Sequence, residues 1–231
     1  MSIKIFQRNN FREIEYIVDE IFNNEVVLLV INTIEFKTKF YTEEFLKIKE
    51  IKHAQNFKSD TARINYIVAR SVVNKIFSRF LNKDVEKIEV TTNEYKKSYV
   101  INAKGIKFNI SHTAGLVIVG FSLNEIGVDI EWIDEKFDYR DILDNCFTVL
   151  EIKYIANDLY KFYELWTIKE AYLKCEGIGL IRDPKEIELV SISEKKAILS
   201  DNKGYYRELE IIRNITGYIG AISIMEELWI Y

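Results

Sequence analysis

Ile126-Gly127-Val128-Asp129-Ile130-Glu131 alternates with period two. As a strand it turns Ile126, Val128 and Ile130 toward a core, and Asp129 and Glu131 the other way. At about 3.3–3.4 Å per residue the two acidic Cα atoms stand about 7 Å apart. Both side chains can then converge on one hard cation if a third oxygen ligand approaches. The hexapeptide alone reads equally well as a half-exposed strand with an acidic wet face. Downstream, Phe162-Tyr163-Glu164-Leu165-Trp166-Thr167-Ile168-Lys169-Glu170-Ala171-Tyr172-Leu173-Lys174 is rich in helix formers, and Gly177 and Gly179 supply the stop. Glu170 and Lys174 share a helix face one turn apart, and Glu170 is the natural third ligand. An exposed pair of this kind contributes only about 0.3–0.5 kcal/mol to a helix, so the pair by itself is equally a structural one.

A third segment, Phe108-Asn109-Ile110-Ser111-His112-Thr113, alternates in the same way and ends in a hydroxyl, an imidazole and a second hydroxyl. Such a strand end suits phosphate contacts. Together with a candidate carboxylate triad and a helical lysine it points to phosphoryl transfer, which depends mainly on positioning and charge neutralisation.

In order and approximate spacing, Asn109-Ile110-Ser111-His112, Gly127-Val128-Asp129-Ile130-Glu131 and Trp166-Thr167-Ile168-Lys169-Glu170-Ala171-Tyr172-Leu173-Lys174 resemble the signature of the 4′-phosphopantetheinyl transferases. The length of 231 residues is similar to the longer, surfactin-synthetase-activating (Sfp) type, in which one chain holds two similar halves. The motif-level resemblance covers about residues 49–180. It implies an enzyme that moves 4′-phosphopantetheine from coenzyme A to a serine of an apo-acyl or peptidyl carrier protein, with release of adenosine 3′,5′-bisphosphate. It implies Mg²⁺ on Asp129, Glu131 and Glu170, with Glu170, Lys174 and His112 as catalytic groups. Lys49, Lys52, Arg63, Lys97, Ser111, His112 and Lys174 then contact coenzyme A.

Lys49, Lys52 and Arg63 read equally as the wet face of a helix and its successor. Lys96-Lys97-Ser98 stands where the family usually has Gly-Lys-Pro, so only Lys97 carries over there. Glu151, after Phe147-Thr148, occupies another acidic position of the type and reads equally as a helix-start glutamate. It is a reserve general base beside Glu170, whose role as a metal ligand would compete with proton abstraction. For the transient carrier partner, the expected docking surface is an apolar patch beside the Glu170 helix, anchored on an exposed Phe147.

Composition sets the outer limits. Of the 231 residues 48% are hydrophobic, enough for one large core or two small ones. A formal charge of −4 disfavours nucleic-acid binding through general electrostatics. The start lacks a long apolar run and Val26–Ile31 is too short to span a bilayer, so a cytoplasmic protein off the membrane is expected; the resemblance to the longer type implies a monomer. Cys146 and Cys175 form no framework and match no zinc spacing; both are expected to be inert thiols. Two other classes fit the same residues: a Mg²⁺-dependent nucleotide pyrophosphohydrolase using water as nucleophile, and a non-catalytic coenzyme A or carrier-binding module.

Periodicity predicts a strand over 25–33, helices near 42–52 and 60–81, and short strands near 87–93, 98–101 and 107–112. The theme recurs with strands near 116–122 and 126–131, helices near 139–157 and 160–176, and a terminal antiparallel set from 187 to 225. The fold class is α+β. The resemblance implies two pseudo-symmetric lobes, each with helices on a small antiparallel sheet and with the nucleotide between them. The turn Ala103-Lys104-Gly105 marks the expected boundary, giving lobes 1–104 and 105–231.

Overall fold

The computed structural model describes residues 2–7, 17–35 and 45–225. It is an α+β chain that divides into two compact units, Met1–Asn93 with Ser98–Asn124, and Glu94–Lys97 with Glu125–Tyr231.

In the first unit, strands β1 (Ile3–Gln7), β2 (Val26–Asn32), β5 (Lys107–Thr113) and β6 (Leu116–Ser122) form a sheet in the order β1-β2-β6-β5. β2 and β6 are buried along nearly their whole length, as their runs of valine, isoleucine and leucine require. The long helix α3 (Asp60–Leu81) packs Val68, Val72, Ile76 and Phe77 against Val27, Leu29 and Ile31 of β2 and Val117, Val119 and Phe121 of β6. Ser59 caps its start by accepting from Ala62 N, and Asn82 ends it in the left-handed conformation (φ 50°). The short helices α1 (Ile17–Asn23) and α2 (Ile48–Ala54) and the two-stranded β3 (Val90–Thr92)–β4 (Ser98–Val100) complete this unit.

The second unit is a five-stranded antiparallel sheet, ordered β7 (Glu125–Trp132), β11 (Tyr218–Met225), β10 (Tyr206–Ile212), β9 (Lys196–Asp201) and β8 (Ile187–Ile192). Helix α6 (Leu159–Glu176) lies on β7 and β11, preceded by α4 (Arg140–Cys146) and α5 (Val149–Ile155). Asp158 caps α6 by accepting from the backbone of Tyr160 and Lys161, and Gly177 ends it at φ +73°. The stop predicted at Gly177 is where the helix stops.

Four expectations are corrected. β6 pairs with β2 across Phe121–Val27 and β5 pairs with β6 across Phe108–Phe121, so both belong to the first unit, and the chain divides at Asn124–Glu125 and not at residue 104. β1, which periodicity did not single out, runs parallel to β2, so this sheet is mixed and not purely antiparallel. The helix expected over 139–157 is two helices. Phe147 is extended, and Thr148 opens α5 with a capping box in which Glu151 returns to the Thr148 N–H at 2.8 Å. The helix expected near 42–52 begins at Ile48, and residues 42–44 lie outside the described residues.

One contact fixes α6 on the sheet. A Cβ built on Gly127 would stand 2.0 Å from the Ala171 carbonyl oxygen and 2.3 Å from the Cys175 nitrogen. Only glycine lets the helix backbone lie that close to β7. Gly127→Ala therefore forces α6 outward and should lower stability by about 1–3 kcal/mol or more. A urea-unfolding midpoint equal to wild type would show that the helix does not sit this tightly on the strand.

Candidate active site

Residues 127, 129 and 131 share one face of β7, the face on which α6 packs at Gly127. Their partners on β11 are Ser223, Ala221 and Ile219. Asp129 thus lies under the helix, 2% exposed, and accepts from Lys174 Nζ at 2.5 Å through Oδ1. The reading of this strand face as a wet one is corrected for Asp129. A carboxylate that deep needs a charge partner, and α6 supplies it.

On α6 the residues around the site are buried, including Phe162–Leu165, Thr167–Lys169 and Ala171–Leu173. Trp166, Glu170 and Lys174, four residues apart, form a half-exposed stripe. Burial raises the Glu170 carboxyl above its ordinary value of 4.5; the Lys174 ammonium opposes the rise and the negative charge of Asp129 adds to it. Asp129, Glu170 and Lys174 are thus electrostatic neighbours, with Glu131 two residues further along the same strand face.

The oxygen donors of Asp129, Glu131 and Glu170 are chemically suited to a hard divalent cation. Among the described residues, no three histidine, cysteine, aspartate or glutamate side chains are gathered around a single point. The structure brings together Asp129, Glu170 and Lys174, with the ammonium seated on Asp129.

The last turn of α6 is held from several sides. Lys97 Nζ donates to the Cys175 carbonyl at 2.8 Å and to Glu125 Oε2 at 2.6 Å. Glu176 takes Arg182 at 2.7 Å and Arg207 at 3.6 Å, and the Arg207 guanidinium lies 4.0 Å from the Tyr172 ring centre.

Sequence reasoning did not single out Lys169, which is 2% exposed. It pairs with Glu151 at 2.5 Å and donates to the carbonyls of Cys146 and Pro184, its ammonium 5.2 Å from the Phe147 ring centre. Burial pushes its pKa down, against the pull of Glu151. Glu151 also accepts from the Thr148 and Leu189 N–H groups. The reserve general base is therefore fully occupied in tying α5, α6 and β8 together. The available signal was a lysine on the otherwise apolar side of the helix.

Phe147 is 2% exposed, packed against Phe162 and Trp166, so the expected exposed anchor is corrected. The apolar side chains open to solvent beside it are Val149 (70%) and Leu150 (65%) on the first turn of α5. Cys175 is buried and Cys146 half-buried; burial raises both thiols, as inert cysteines require.

The other candidates lie on the first unit. Lys49 and Lys52 are exposed on α2, and Arg63 on the first turn of α3 pairs with Asp60 at 2.7 Å. Ser111 is 6% exposed and His112 exposed at the end of β5, on opposite faces of the strand.

Against known proteins, residues 125–222 match the 4′-phosphopantetheinyl transferase superfamily. The resemblance seen in the sequence is borne out there. Two of its three motif blocks, Gly127–Glu131 and Trp166–Lys174, fall inside the match. The chain is 34% identical over 117 residues to the 4′-phosphopantetheinyl transferase gsp of Aneurinibacillus migulanus, covering 49% of this chain and 48% of that protein. To the 4′-phosphopantetheinyl transferase Sfp of Bacillus subtilis it is 34% identical over 114 residues, 47% of this chain and 50% of that one. To the 4′-phosphopantetheinyl transferase HetI of a Nostoc strain it is 25% identical over 153 residues, 62% and 64%. The chain spans about half the length of the first two of these relatives. Among the described residues no helix is long and apolar enough to cross a membrane.

Two predictions follow from the buried charges. Because the folded Glu170 carboxyl holds its proton more tightly than the unfolded one, its contribution to stability is present below pH 4.5 and is lost as pH rises through the higher folded value. Glu170→Gln should therefore raise the thermal midpoint at pH 7, and the gain should vanish below pH 4.5. A midpoint difference independent of pH would show that Lys174 fully compensates the charge. Lys169→Met leaves Glu151 buried without its cation and should cost about 3–5 kcal/mol, read from denaturant unfolding; a loss below about 1 kcal/mol would mean that the pair is not coupled to folding.

Proposed function

We propose that this chain transfers 4′-phosphopantetheine from coenzyme A to the serine hydroxyl of an acyl or peptidyl carrier protein. The observation that carries the reading is the Asp129–Lys174 pair beside the raised Glu170 carboxyl, set on a strand and helix that lie within the matched superfamily region. In the reaction the serine oxygen attacks the β-phosphorus of coenzyme A. The new P–O bond forms as the pyrophosphate bridge breaks, the electron pair leaves with adenosine 3′,5′-bisphosphate, and the hydroxyl proton passes to a base.

Glu170 is the base, directly or through a water. Burial and the charge of Asp129 raise its carboxyl, a shift an ordinary surface glutamate lacks, while a bound Mg²⁺ would draw it down again, so the two roles compete. Glu151 is not free for this role, since Lys169 and two backbone N–H groups hold it. Lys174, half-exposed at its head, stabilises the charge that develops on the transferring phosphoryl group. Lys49, Lys52, Arg63, Ser111 and His112 are proposed contacts for the remaining phosphates of coenzyme A.

Asp129, Glu131 and Glu170 would hold Mg²⁺. When bound, the ion neutralises pyrophosphate charge. The enzyme is proposed to act in the cytoplasm as a monomer, with no nucleic-acid or membrane partner.

Incubation with coenzyme A, Mg²⁺ and candidate apo-carriers from fatty-acid, polyketide and nonribosomal-peptide systems tests the reading. Mass spectrometry should show the gain of one phosphopantetheine on the serine. Consumption of coenzyme A without a carrier would instead indicate the pyrophosphohydrolase. Asp129→Asn, Glu131→Gln and Glu170→Gln should each lower turnover by at least about 10²-fold, with double variants hardly worse than singles. Near-normal transfer by two of the three would remove the shared-site argument.

A further inference from the structure

We propose that Lys97 is a positioning residue that clamps the last turn of α6 to the start of β7, and not a contact for the phosphates of coenzyme A. The proposal rests on where the segment Glu94–Lys97 goes. β3 and β4, on either side of it, belong to the first unit, yet these four residues are part of the second. Lys96, at φ +68°, takes the left-handed conformation immediately before Lys97. The Lys97 side chain is 12% exposed and reaches two acceptors at once, Glu125 Oε2 at 2.6 Å and the Cys175 carbonyl at 2.8 Å.

Each acceptor has a structural need for a cation. The Cys175 carbonyl is among the last four of α6, which lack intrahelical donors and carry the negative end of the helix dipole. Glu125 opens β7, two residues before Gly127, where the helix backbone lies against the strand. The Cys175 thiol returns to the Glu125 carbonyl oxygen at 3.2 Å, closing a ring of contacts between the two elements. Lys97 therefore ties the helix end to the strand start, with Gly127 packed between Ala171 and Cys175 just inside the tie. Lys174 precedes the clamped residue, and its ammonium must meet Asp129 across the same strand. Loss of the clamp loosens the turn that aims Lys174.

Only the kinetic arm of the test rests on the proposed transfer reaction. Amide hydrogen exchange on the ligand-free protein should be faster in Tyr172–Gly177 for Lys97→Met, and Glu125→Gln, which removes no cation from any phosphate, should reproduce the change. In carrier modification both variants should lower kcat by about tenfold, leaving the KM for coenzyme A within about twofold of wild type. The double variant should add little to either single, because the two side chains form one contact. A roughly tenfold rise in the KM for coenzyme A with unchanged exchange in Lys97→Met, or wild-type behaviour of Glu125→Gln, would overturn the assignment. If the wild-type protein transfers nothing to any carrier, exchange alone decides, and unchanged exchange in both variants overturns the clamp independently of the reaction.

Discussion

The close approach of the α6 backbone to β7 at Gly127 is the constraint on which the site depends. Strand residues on one face recur every second position, so a helix that touches residue 127 also covers 129 and passes beside 131. Helix residues on one face recur every three or four positions, so the turn that touches Gly127 through Ala171 and Cys175 places Glu170 and Lys174 on its flank. The two periodicities meet only at a fixed spacing. A side chain at 127 would lift the helix and break that registry even with every acidic residue retained. The glycine in Gly-Val-Asp is therefore as much part of the chemistry as the aspartate.

That contact also sets the electrostatics. Asp129 is carried under the helix, where an unpaired carboxylate would cost several kcal/mol, and Lys174 offsets this from the same helix that causes the burial. Glu170 is less deeply placed but feels both Asp129 and the loss of water. Lys169, its neighbour in sequence, points to the other side and serves Glu151 instead. Adjacent residues on one helix thus divide the work: Lys169–Glu151 holds α5, α6 and β8 together, and Glu170–Lys174 faces the chemistry.

Much of this was legible in the sequence because it rests on local periodicity. The strand 125–132, the helix 159–176 and its glycine stop, the long helix 60–81 and the strand 116–122 all show their period directly. The sharing of one face by Asp129 and Glu131, and of another by Glu170 and Lys174, follows from the same arithmetic. What was missed depends on partners distant in sequence. The pairing of β6, with β5 beside it, onto β2 is non-local, and it moved the division of the chain twenty residues past the most turn-like stretch. The break between α4 and α5 was visible as a Thr-x-x-Glu capping box, but the surrounding helical pattern masked it. Phe147 read as an exposed anchor because sequence shows what precedes a residue and not what lies on top of it; Phe162 and Trp166 lie fifteen and nineteen positions away. Lys97 reads as one more lysine in a basic turn until Glu125 and Cys175 are seen beside it.

The charge balance of the site gives the Lys174 contact a further meaning. Asp129, Glu131 and Glu170 bring three carboxylates to this stretch of strand and helix, and Lys174 seats an ammonium on Asp129. Burial, with the charge of Asp129 added to it, is why Glu170 retains its proton more strongly than an ordinary glutamate. A divalent cation is proposed for the same carboxylates. A lysine seated on Asp129 answers part of the need that such an ion would meet. Its head remains partly exposed, so it can leave a carboxylate for a phosphate oxygen without being drawn out of a closed core. A buried lysine such as Lys169, held by one carboxylate and two carbonyls, has no such freedom. Burial thus separates the lysine suited to changing partners from the lysine that holds the fold.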